Sequence, residues 1–456
     1  MTAQNILAKQ KEFFLLNQTK PLKYRIKQLK ILKLALKDNE KYFYEAIYED
    51  FSKSKFETYA TELSLIYSEI NIAVKKLKQW AKPIKKSTNL ANLPGKSFVL
   101  PEPLGNILII GAWNYPFQLS LVPLVSAIAA GNTVILKPSE LSKNASAIMA
   151  KILNRVFIPD VVRVFEGGVK ETQELLAMKF DKIFFTGSIP VGKKIYEYAA
   201  KNMTPVTLEL GGKSPTFVLE DANLKMTAKR IVWGKFLNAG QTCVATDYIL
   251  VDKKVEKQLL EEIKKQIQVQ FPTFETIPEN YVQIINERNF DRLLNLIDKE
   301  KIYFGGESDR AKRLIEPTVL HNVGFDDEIM KTEIFGPLLP VISFENIEDA
   351  IEEVKKQSSP LALYVFAKNK KIIRKIHNEL SFGGGAINDS VMHLTNHSLP
   401  FGGIGFSGQG NYHGYAGFQT FSHFKSILKK SFLFEPPLKY APYSDSKMNW
   451  LRRLIE

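Results

Sequence analysis

The chain has one cysteine, Cys243, and the residues before it can leave its thiol accessible. The composition of the preceding segment predicts a tight loop rather than the interior of a strand, because it consists of Gly240, Gln241 and Thr242. An accessible thiol can attack a carbonyl carbon and hold the acyl group. The alternative is a small buried side chain without chemistry, which is the commonest role of a free cysteine.

Two other side chains could assist such a thiol. Glu209 lies in an apolar, glycine-rich segment, residues 208–215, and a carboxylate there can activate the water that releases an acyl group. The amide of Asn114, within residues 111–116, can donate to the oxygen that becomes negative when a thiol attacks its carbonyl. The alternatives are a surface glutamate and a turn asparagine before a proline-led helix.

A glycine loop between a predicted strand and a predicted helix suits an anion. Gly187 and Gly192 allow backbone amides to approach a phosphate at the positive end of the helix. The segment nearly matches the P-loop of triphosphate hydrolases, but Lys194 stands where that motif needs serine or threonine. The loop therefore indicates a phosphate near a helix and argues against a triphosphate hydrolase.

Two further motifs could contact a nucleotide. Lys137 and Glu140 follow another predicted strand, where they could hold ribose hydroxyls or a phosphate. Alternatively, Ser139 caps a helix and Glu140 lies near its dipole, and the residues alone leave both readings open. Glu333 and Phe335 could contact a sugar and a flat heterocycle, although the phenylalanine could also be part of the core.

The elements that must position these residues follow from the spacing of apolar runs. Short runs alternate with helical stretches, which predicts a parallel sheet covered on both faces. The motifs fall at the carboxyl ends of its strands, where ligands of such sheets bind. The predicted strands are 106–110, 133–136, 162–165, 182–185 and 206–210, and the predicted helices are 119–130, 143–157, 170–178 and 191–202.

The remaining chain predicts a helical start and a second α/β domain. Residues 1–80 are helical in pattern, with apolar side chains at three- and four-residue steps. Residues 421–433 alternate weakly and could pair with an early segment, residues 89–104. The second domain is predicted from strands at 248–251, 338–344 and 361–366 and from helices near 254–269 and 347–357.

Composition limits the class of protein. The 456 residues are 45% hydrophobic and 24% charged, as in an ordinary soluble globular protein. A lone cysteine cannot form an internal disulfide, which suits the cytoplasm, and no secretory signal or membrane-length apolar run is present. The histidines have no metal-ligand spacing with cysteines or carboxylates, so no metal site is predicted.

The formal net charge of +14 raises the question of an anionic partner. The basic residues are interleaved with acidic ones, and no nucleic-acid-binding signature accompanies them. The densest cluster, residues 75–86, is most simply the solvated end of a helix stopped by Pro83. Weak peripheral contact with an anionic membrane surface is the alternative for that cluster.

The motifs together resemble the aldehyde dehydrogenase superfamily. Asn114, the turn at 137–140, the loop at 187–192, the segment at 209–213, the cysteine motif and the segment at 333–337 occur in the order of that family. The chain is similar to the class 3, or fatty-aldehyde, branch in its short length, in residues 400–405 and in residues 413–423. The resemblance covers nearly the whole chain.

The resemblance implies an aldehyde dehydrogenase-like α/β fold, with two parallel-sheet domains and a small β bridging element for oligomerisation. Residues 1–80 and 101–210 would form the Rossmann-like cofactor-binding domain and residues 211–395 the catalytic domain. Residues 81–100 and 415–435 would form the bridging strands, and residues 436–456 a C-terminal tail. A homodimer is implied. The chain has no apolar C-terminal anchor of the membrane-bound fatty-aldehyde enzymes, so a soluble enzyme is expected.

The resemblance also implies roles for single residues. Cys243 would be the nucleophile, Glu209 the base for deacylating water, and Asn114 an oxyanion donor with the Cys243 backbone N–H. Thr246 departs from the proline frequent in this branch, which affects the expected shape of the loop after the nucleophile. The residues implied in cofactor binding are Trp113, Lys137, Glu140, Gly187, Ser188, Gly192, Glu333 and Phe335, and apolar walls of a substrate pocket are expected from Tyr115 and Trp233.

The predicted function is oxidation of an aldehyde to a carboxylic acid with NAD or NADP. The implied substrates are medium- or long-chain aliphatic or aromatic aldehydes, which fit apolar walls. NAD is favoured because Glu140 would repel a 2′-phosphate, although the branch often accepts both cofactors. The rival predictions are a cysteine acyltransferase or thioesterase without nicotinamide and a basic non-enzymatic binding protein.

Overall fold

A computed structural model describes residues 2–272, 281–435 and 437–455. In its second helix Leu29, Leu32 and Leu36 are fully buried, while Lys27 and Lys30 are exposed, as the helical pattern of the sequence predicts. The elements before residue 104 are α1 (Ala3–Leu15), α2 (Leu22–Asp38), α3 (Glu40–Phe51), α4 (Lys55–Thr58), α5 (Ser64–Trp80), β1 (Ile84–Lys86) and β2 (Gly95–Pro103).

The next segment alternates strands and helices, and its strands form a parallel sheet in the order β7-β6-β3-β4-β5. Ile107, Leu108 and Ile109 are all fully buried, because helices cover both faces of the sheet. The predicted alternation is confirmed, with ends shifted by one or two residues. These elements are β3 (Asn106–Ile110), α6 (Gln118–Ala130), β4 (Thr133–Lys137), α7 (Lys143–Val156), β5 (Val162–Val164), α8 (Val169–Leu176), β6 (Lys182–Thr186), α9 (Ile189–Lys201) and β7 (Val206–Glu209).

A second sheet follows, in the order β10-β13-β14-β9-β8-β15-β16, with antiparallel pairing only between β10 and β13 among these described strands. The strands β11 and β12 pair with each other. These elements are β8 (Pro215–Val218), α10 (Leu224–Phe236), β9 (Tyr248–Asp252), α11 (Glu256–Gln270), α12 (Glu287–Leu294), β10 (Ile302–Phe304), β11 (Ser308–Asp309), β12 (Leu314–Ile315), β13 (Thr318–Leu320), α13 (Glu328–Lys331), β14 (Leu338–Phe344), α14 (Ile347–Lys355), β15 (Ala362–Phe366), α15 (Lys370–Glu379) and β16 (Gly384–Ile387).

The last elements return to the first half of the molecule. The short strand β17 adds an antiparallel edge to the first sheet, where Gly408 pairs with Glu209. The strand β18 pairs with β2 from Ser422 opposite Pro103 to Lys430 opposite Gly95, the pairing that the sequence predicted. These elements are β17 (Gly408–Gln409), α16 (Gly414–Thr420), β18 (Ser422–Lys430) and α17 (Asp445–Ile455).

The helices of the described ranges are too short or too polar to cross a bilayer. The lysine-rich cluster at residues 75–86 begins in the last turns of α5, which ends at Trp80, three residues before Pro83. Its lysines are exposed. This arrangement is that of the solvated helix end that the sequence predicts most simply.

Candidate active site

Cys243 lies in a loop before β9, as its neighbours predict, and its side chain is partly exposed. The loop begins at Gly240, which has a φ of 72°. A Cβ atom at this position would overlap the carbonyl oxygen of Gly336. Glycine is therefore required there both by its left-handed backbone and by the close approach of two loops. This approach brings the cysteine loop against the segment that contains Glu333 and Phe335.

The thiol lies among acidic groups. Burial, followed by the charges of Glu333 and Glu209, raises the pKa of Cys243 to about 12. The resting side chain is consequently a neutral thiol at neutral pH. A nucleophilic role for it requires a group that accepts its proton.

Glu209 is the last residue of β7 and is 2% exposed. Neither carboxyl oxygen has a hydrogen-bond partner among the described residues. Burial raises its pKa well above the ordinary value for glutamate. A buried carboxyl without a partner lowers stability, and such groups with shifted pKa values are concentrated at functional sites.

The loop of Asn114 is tied to the loop of the cysteine. Its side-chain nitrogen donates to the carbonyl oxygen of Gln241 at 3.1 Å, and its own carbonyl accepts from Nδ2 of Asn238 at 3.0 Å. An amide nitrogen carries two hydrogens, so one donor of Asn114 is left for a ligand. The predicted oxyanion donor is therefore buried, oriented and held beside the loop of the thiol.

The two substrate-pocket candidates have different positions. The hydroxyl of Tyr115 lies 2.7 Å from Oγ1 of Thr242, the residue before the cysteine. Trp233 lies on α10 with 38% of its surface exposed. The structure thus brings Tyr115 against the cysteine loop, whereas none of the described hydrogen bonds or ring contacts joins Trp233 to that loop.

Lys137, the last residue of β4, and Glu140 do not lie at a helix start. Helix α7 begins at Lys143 with Ser142 as its N-cap, so Ser139 and Glu140 lie in the turn before it. Lys137 is 1% exposed, and its Nζ donates to the carbonyl of Pro138 at 2.8 Å and to Glu140 at 3.3 Å. An ammonium has three donors, so one is left for a ligand hydroxyl.

The glycine loop opens α9, with Ser188 as an exposed N-cap whose side chain makes no capping hydrogen bond. A Cβ atom on Gly192 would lie 2.6 Å from the side chain of Leu210, and one on Gly187 would lie 2.5 Å from the ring of Phe185. The glycines therefore allow the helix to pack closely on the strand ends. The amides at the start of α9 remain oriented toward the same sheet edge.

Glu333 and Phe335 lie on the other side of the cysteine loop. The Phe335 ring meets the Trp113 ring edge-on, with centroids 5.5 Å apart. The Glu333 side chain lies against Gly211, two residues after Glu209. Burial and the charge of Asp247 raise the pKa of Glu333 to about 8. The structure therefore brings these predicted cofactor residues together with the predicted nucleophile.

Several site residues escaped the sequence interpretation. Lys213 donates to Asp247 at 2.6 Å and to the carbonyl of Ile329 at 2.9 Å, and Asp247 accepts from the N–H of Ile334 at 3.0 Å. These bonds join the segments that follow Glu209 and Cys243 to the one around Glu333. In the sequence, the only indication of these contacts was Lys213, at the end of the motif at 209–213.

Two buried side chains that interact electrostatically with site residues are not indicated by the sequence. Lys235 is fully buried, its Nζ has no partner among the described residues, and burial lowers its pKa to about 8. Tyr412 is fully buried, and burial, followed by the charges of Glu209 and Cys243, raises its pKa well above the ordinary value. Neither residue stands in a motif, and no periodicity could have identified them.

The residues present fit a nicotinamide dinucleotide. The free donor of Lys137, the exposed carboxylate of Glu140 and the start of α9 lie at the carboxyl edge of a parallel sheet, where dinucleotides bind. Beyond them lie Glu333 and the Trp113–Phe335 ring pair, next to the thiol. This fold and site define a class of enzyme in which a cysteine thiol lies beside a dinucleotide-binding sheet edge.

Residues 2–427 match the aldehyde dehydrogenase family, and the chain belongs to that family. It is 46% identical over 435 residues to 4,4'-diaponeurosporen-aldehyde dehydrogenase of Staphylococcus aureus, with 95% of each chain covered. It is 45% identical to aldehyde dehydrogenase family 3 member A2 of Pongo abelii, with 96% of this chain and 91% of the relative covered.

Other relatives agree in cofactor and fold. The dimeric NADP-preferring aldehyde dehydrogenase of Canis lupus familiaris is 43% identical, with coverage of 93% and 94%. A solved structure described as the substrate-bound state of Staphylococcus aureus AldH is 44% identical, with a TM-score of 0.97 and full coverage of both chains. The resemblance to the class 3 branch is confirmed, the activity is NAD(P)-dependent aldehyde oxidation, and the acyltransferase alternative is not favoured.

Proposed function

We propose that this dehydrogenase oxidises aldehydes through a thioester on Cys243 that Glu209-activated water hydrolyses. The observation that carries the proposal is the presence, in one site, of a partly exposed thiol and a buried carboxyl to which no described residue donates a hydrogen bond. The thiol of Cys243 adds to the aldehyde carbon, and its proton passes to a base of the site. Glu209 can accept it, because its raised pKa brings its proton affinity toward that of the thiol.

The negative oxygen formed in this addition needs donors. We assign this role to the free amide hydrogen of Asn114 and to the backbone N–H of Cys243. Because Gln241 and Asn238 already hold Asn114 in place, it requires little rearrangement when charge develops.

Lys137 and Glu140 would hold the adenosine ribose, and Gly187, Ser188 and Gly192 the phosphates. Glu333 would hold the nicotinamide ribose, with Phe335 and Trp113 at the ring. When bound, NAD or NADP supplies the acceptor for the hydride that leaves the substrate carbon. Cys243 then holds the acyl group. Glu209 first releases the thiol proton to solvent and then takes a proton from the water that attacks the thioester, and this second proton returns to the Cys243 sulfur as the acid leaves.

Replacement of Asn114 with alanine tests the oxyanion assignment. We expect kcat/KM to fall about 10²- to 10³-fold, the effect of removing one such donor. The Kd for the cofactor should remain unchanged because Asn114 is bonded to the cysteine loop and not to the nucleotide residues. An activity within about threefold of the wild type in a variant that melts normally would remove Asn114 from the mechanism.

The proposed substrates are medium- and long-chain aliphatic or aromatic aldehydes. The relatives include a protein named for a diaponeurosporen-aldehyde, and Trp233 offers exposed apolar surface, while the buried Tyr115 lies against the cysteine loop. Growth of reduced-nicotinamide absorbance across a chain-length series of aldehydes, read as kcat/KM, tests this class. A preference for small polar aldehydes would reject it.

We propose NAD as the slightly favoured cofactor. The carboxylate of Glu140 lies beside Lys137, and its negative charge would repel the 2′-phosphate of NADP. Replacement of Glu140 with glutamine should raise the ratio of kcat/KM for NADP to that for NAD by about two- to fivefold, the effect of one exposed charge. The same substitution at the exposed Glu220, which pairs with Lys254, is a matched control. An unchanged ratio in Glu140→Gln would reject this assignment.

We further propose a cytoplasmic homodimer, with residues 1–80 and 101–210 as the cofactor domain and 211–395 as the catalytic domain. Residues 81–100 and 415–435 would bridge the subunits, and 436–456 would form a tail. The pairing of β2 with β18 supports the bridging element. Weak contact of residues 75–86 with anionic membranes is a further part of the proposal. Sedimentation equilibrium and flotation with anionic vesicles test the dimer and the membrane contact.

A further inference from the structure

A buried ion pair lies between α3 and α5, outside the groups to which the mechanism assigns roles. Nζ of Lys53 is 3.0 Å from Oε1 of Glu62, and both side chains are fully buried. Burial of two charges carries a desolvation cost that an apolar pair of the same size would avoid. The contacts that Lys53 and Glu62 make with other residues should therefore explain why the pair is present.

Each member of the pair holds a different part of the Tyr115 loop. The second carboxyl oxygen of Glu62 accepts from the N–H of Phe117 at 2.8 Å and from the N–H of Gln118 at 3.2 Å. It thus binds the positive N-terminus of α6. Nζ of Lys53 lies 4.0 Å from the centroid of the Tyr115 ring, within the range of a cation–π interaction.

Residues 53–62 are connected to the cysteine loop by two chains of contacts. In the first, Lys53 contacts Tyr115, whose hydroxyl is hydrogen-bonded to Oγ1 of Thr242, the residue before the nucleophile. In the second, the carboxylate of Glu57 accepts from the N–H of Asn238 at 2.8 Å. The Asn238 amide in turn donates to the carbonyls of Asn114 and Gln241, both at 3.0 Å. Asn238 has a φ of 54°, in the left-handed region, and these hydrogen bonds stabilise that backbone conformation.

We propose that the Lys53–Glu62 pair positions the Tyr115 loop so that the oxyanion donor Asn114 and the nucleophile Cys243 keep their relative geometry. This inference rests on the proposed function. The pair touches neither the reacting atoms nor the residues assigned to the cofactor, so both members are positioning residues. Displacement of a reacting group by about 1 Å can lower a rate about 100-fold.

The test measures the first turnover, with enzyme in excess over aldehyde and at saturating NAD. Lys53→Met removes the cation with little loss of volume, and Tyr115→Leu removes the ring on which it acts. We expect each substitution to lower the rate of reduced-nicotinamide formation about 10- to 100-fold with an unchanged Kd for NAD. Because Lys53 acts through Tyr115, the combined variant should be no slower than Tyr115→Leu alone.

A matched control separates positioning from general loss of stability. Arg25 is also buried and contacts the other end of α6, where its Nη1 donates to the carbonyl of Ala129 at 3.2 Å. Arg25→Met should lower the melting temperature but leave the first-turnover rate unchanged. Restoration of most of that rate by Lys53→Arg would show that the cation is needed rather than the lysine.

Two results would overturn the inference. One is a wild-type first-turnover rate in a folded Lys53→Met variant. The other is a combined variant whose loss of first-turnover rate equals the product of the losses in Lys53→Met and Tyr115→Leu. If Lys53→Met does not fold, the double variant Lys53→Met/Glu62→Gln, which removes both charges of the pair, decides by the same rate. The proposed function fails on a separate result, persistent activity of Cys243→Ala.

Discussion

Replacement of Cys243 with alanine should lower aldehyde oxidation by at least about 10⁴-fold, the scale of loss when a covalent nucleophile is removed. Serine in its place should do nearly the same, because a hydroxyl is a far weaker nucleophile and leaving group than a thiol. The side chain is partly exposed, and the charges of Glu333 and Glu209 act on its thiol. Steady-state formation of reduced nicotinamide is the measurement.

The control for this substitution is cofactor binding. The residues assigned to the adenosine end, Lys137 and Glu140, lie at the carboxyl end of β4 and not in the cysteine loop, so both variants should bind NAD with wild-type affinity. A variant that binds NAD, melts at the wild-type temperature and still oxidises aldehyde at near the wild-type rate would contradict the covalent mechanism. Because the chain has one cysteine, alkylation of the wild type provides an independent check at the same atom.

Replacement of Glu209 with glutamine should convert sustained turnover into a single burst of reduced nicotinamide. Glutamine has nearly the same shape but accepts no proton, so water can no longer be activated to release the acyl group. We expect the steady rate after the burst to fall about 10²- to 10⁴-fold. Stopped-flow absorbance with enzyme at micromolar concentration separates the burst from the steady phase.

The pH dependence provides a second signature of Glu209. Burial raises its pKa, so the carboxyl is protonated at lower pH and cannot act as a base there. The steady rate of the wild type should therefore rise with pH as this proton is lost, and the Glu209→Gln variant should lack that rise. Glu333→Gln is a matched control from the same site, and it should weaken cofactor binding while turnover continues. Full steady turnover in Glu209→Gln would contradict the assignment.

The sequence predicted the first sheet well because buried parallel strands are continuous apolar runs separated by amphipathic helices. It missed β17, which has two residues, and β16, in which glycines replace the expected β-branched side chains. It also missed β8, which begins at Pro215. Strands this short or this atypical carry no period that a single sequence could reveal.

In the candidate site, too, the sequence predicted the residues that stand in local motifs and missed those that only the tertiary fold brings together. Cys243, Glu209, Asn114 and Glu333 stand in local motifs, and the structure brings them together as those motifs imply. Lys53 and Glu62 meet residues 115–118 only because two segments far apart in the sequence converge in the fold. Such convergence depends on tertiary packing, and no local spacing in the chain encodes it.

One measurement addresses the covalent intermediate directly. Glu209→Gln enzyme is mixed with excess aldehyde and NAD, quenched in acid after the burst, and examined by intact-protein and peptide mass spectrometry. We expect an added acyl group on the peptide that contains Cys243, in an amount equal to the reduced nicotinamide formed. A burst of reduced nicotinamide with that peptide unmodified would contradict it.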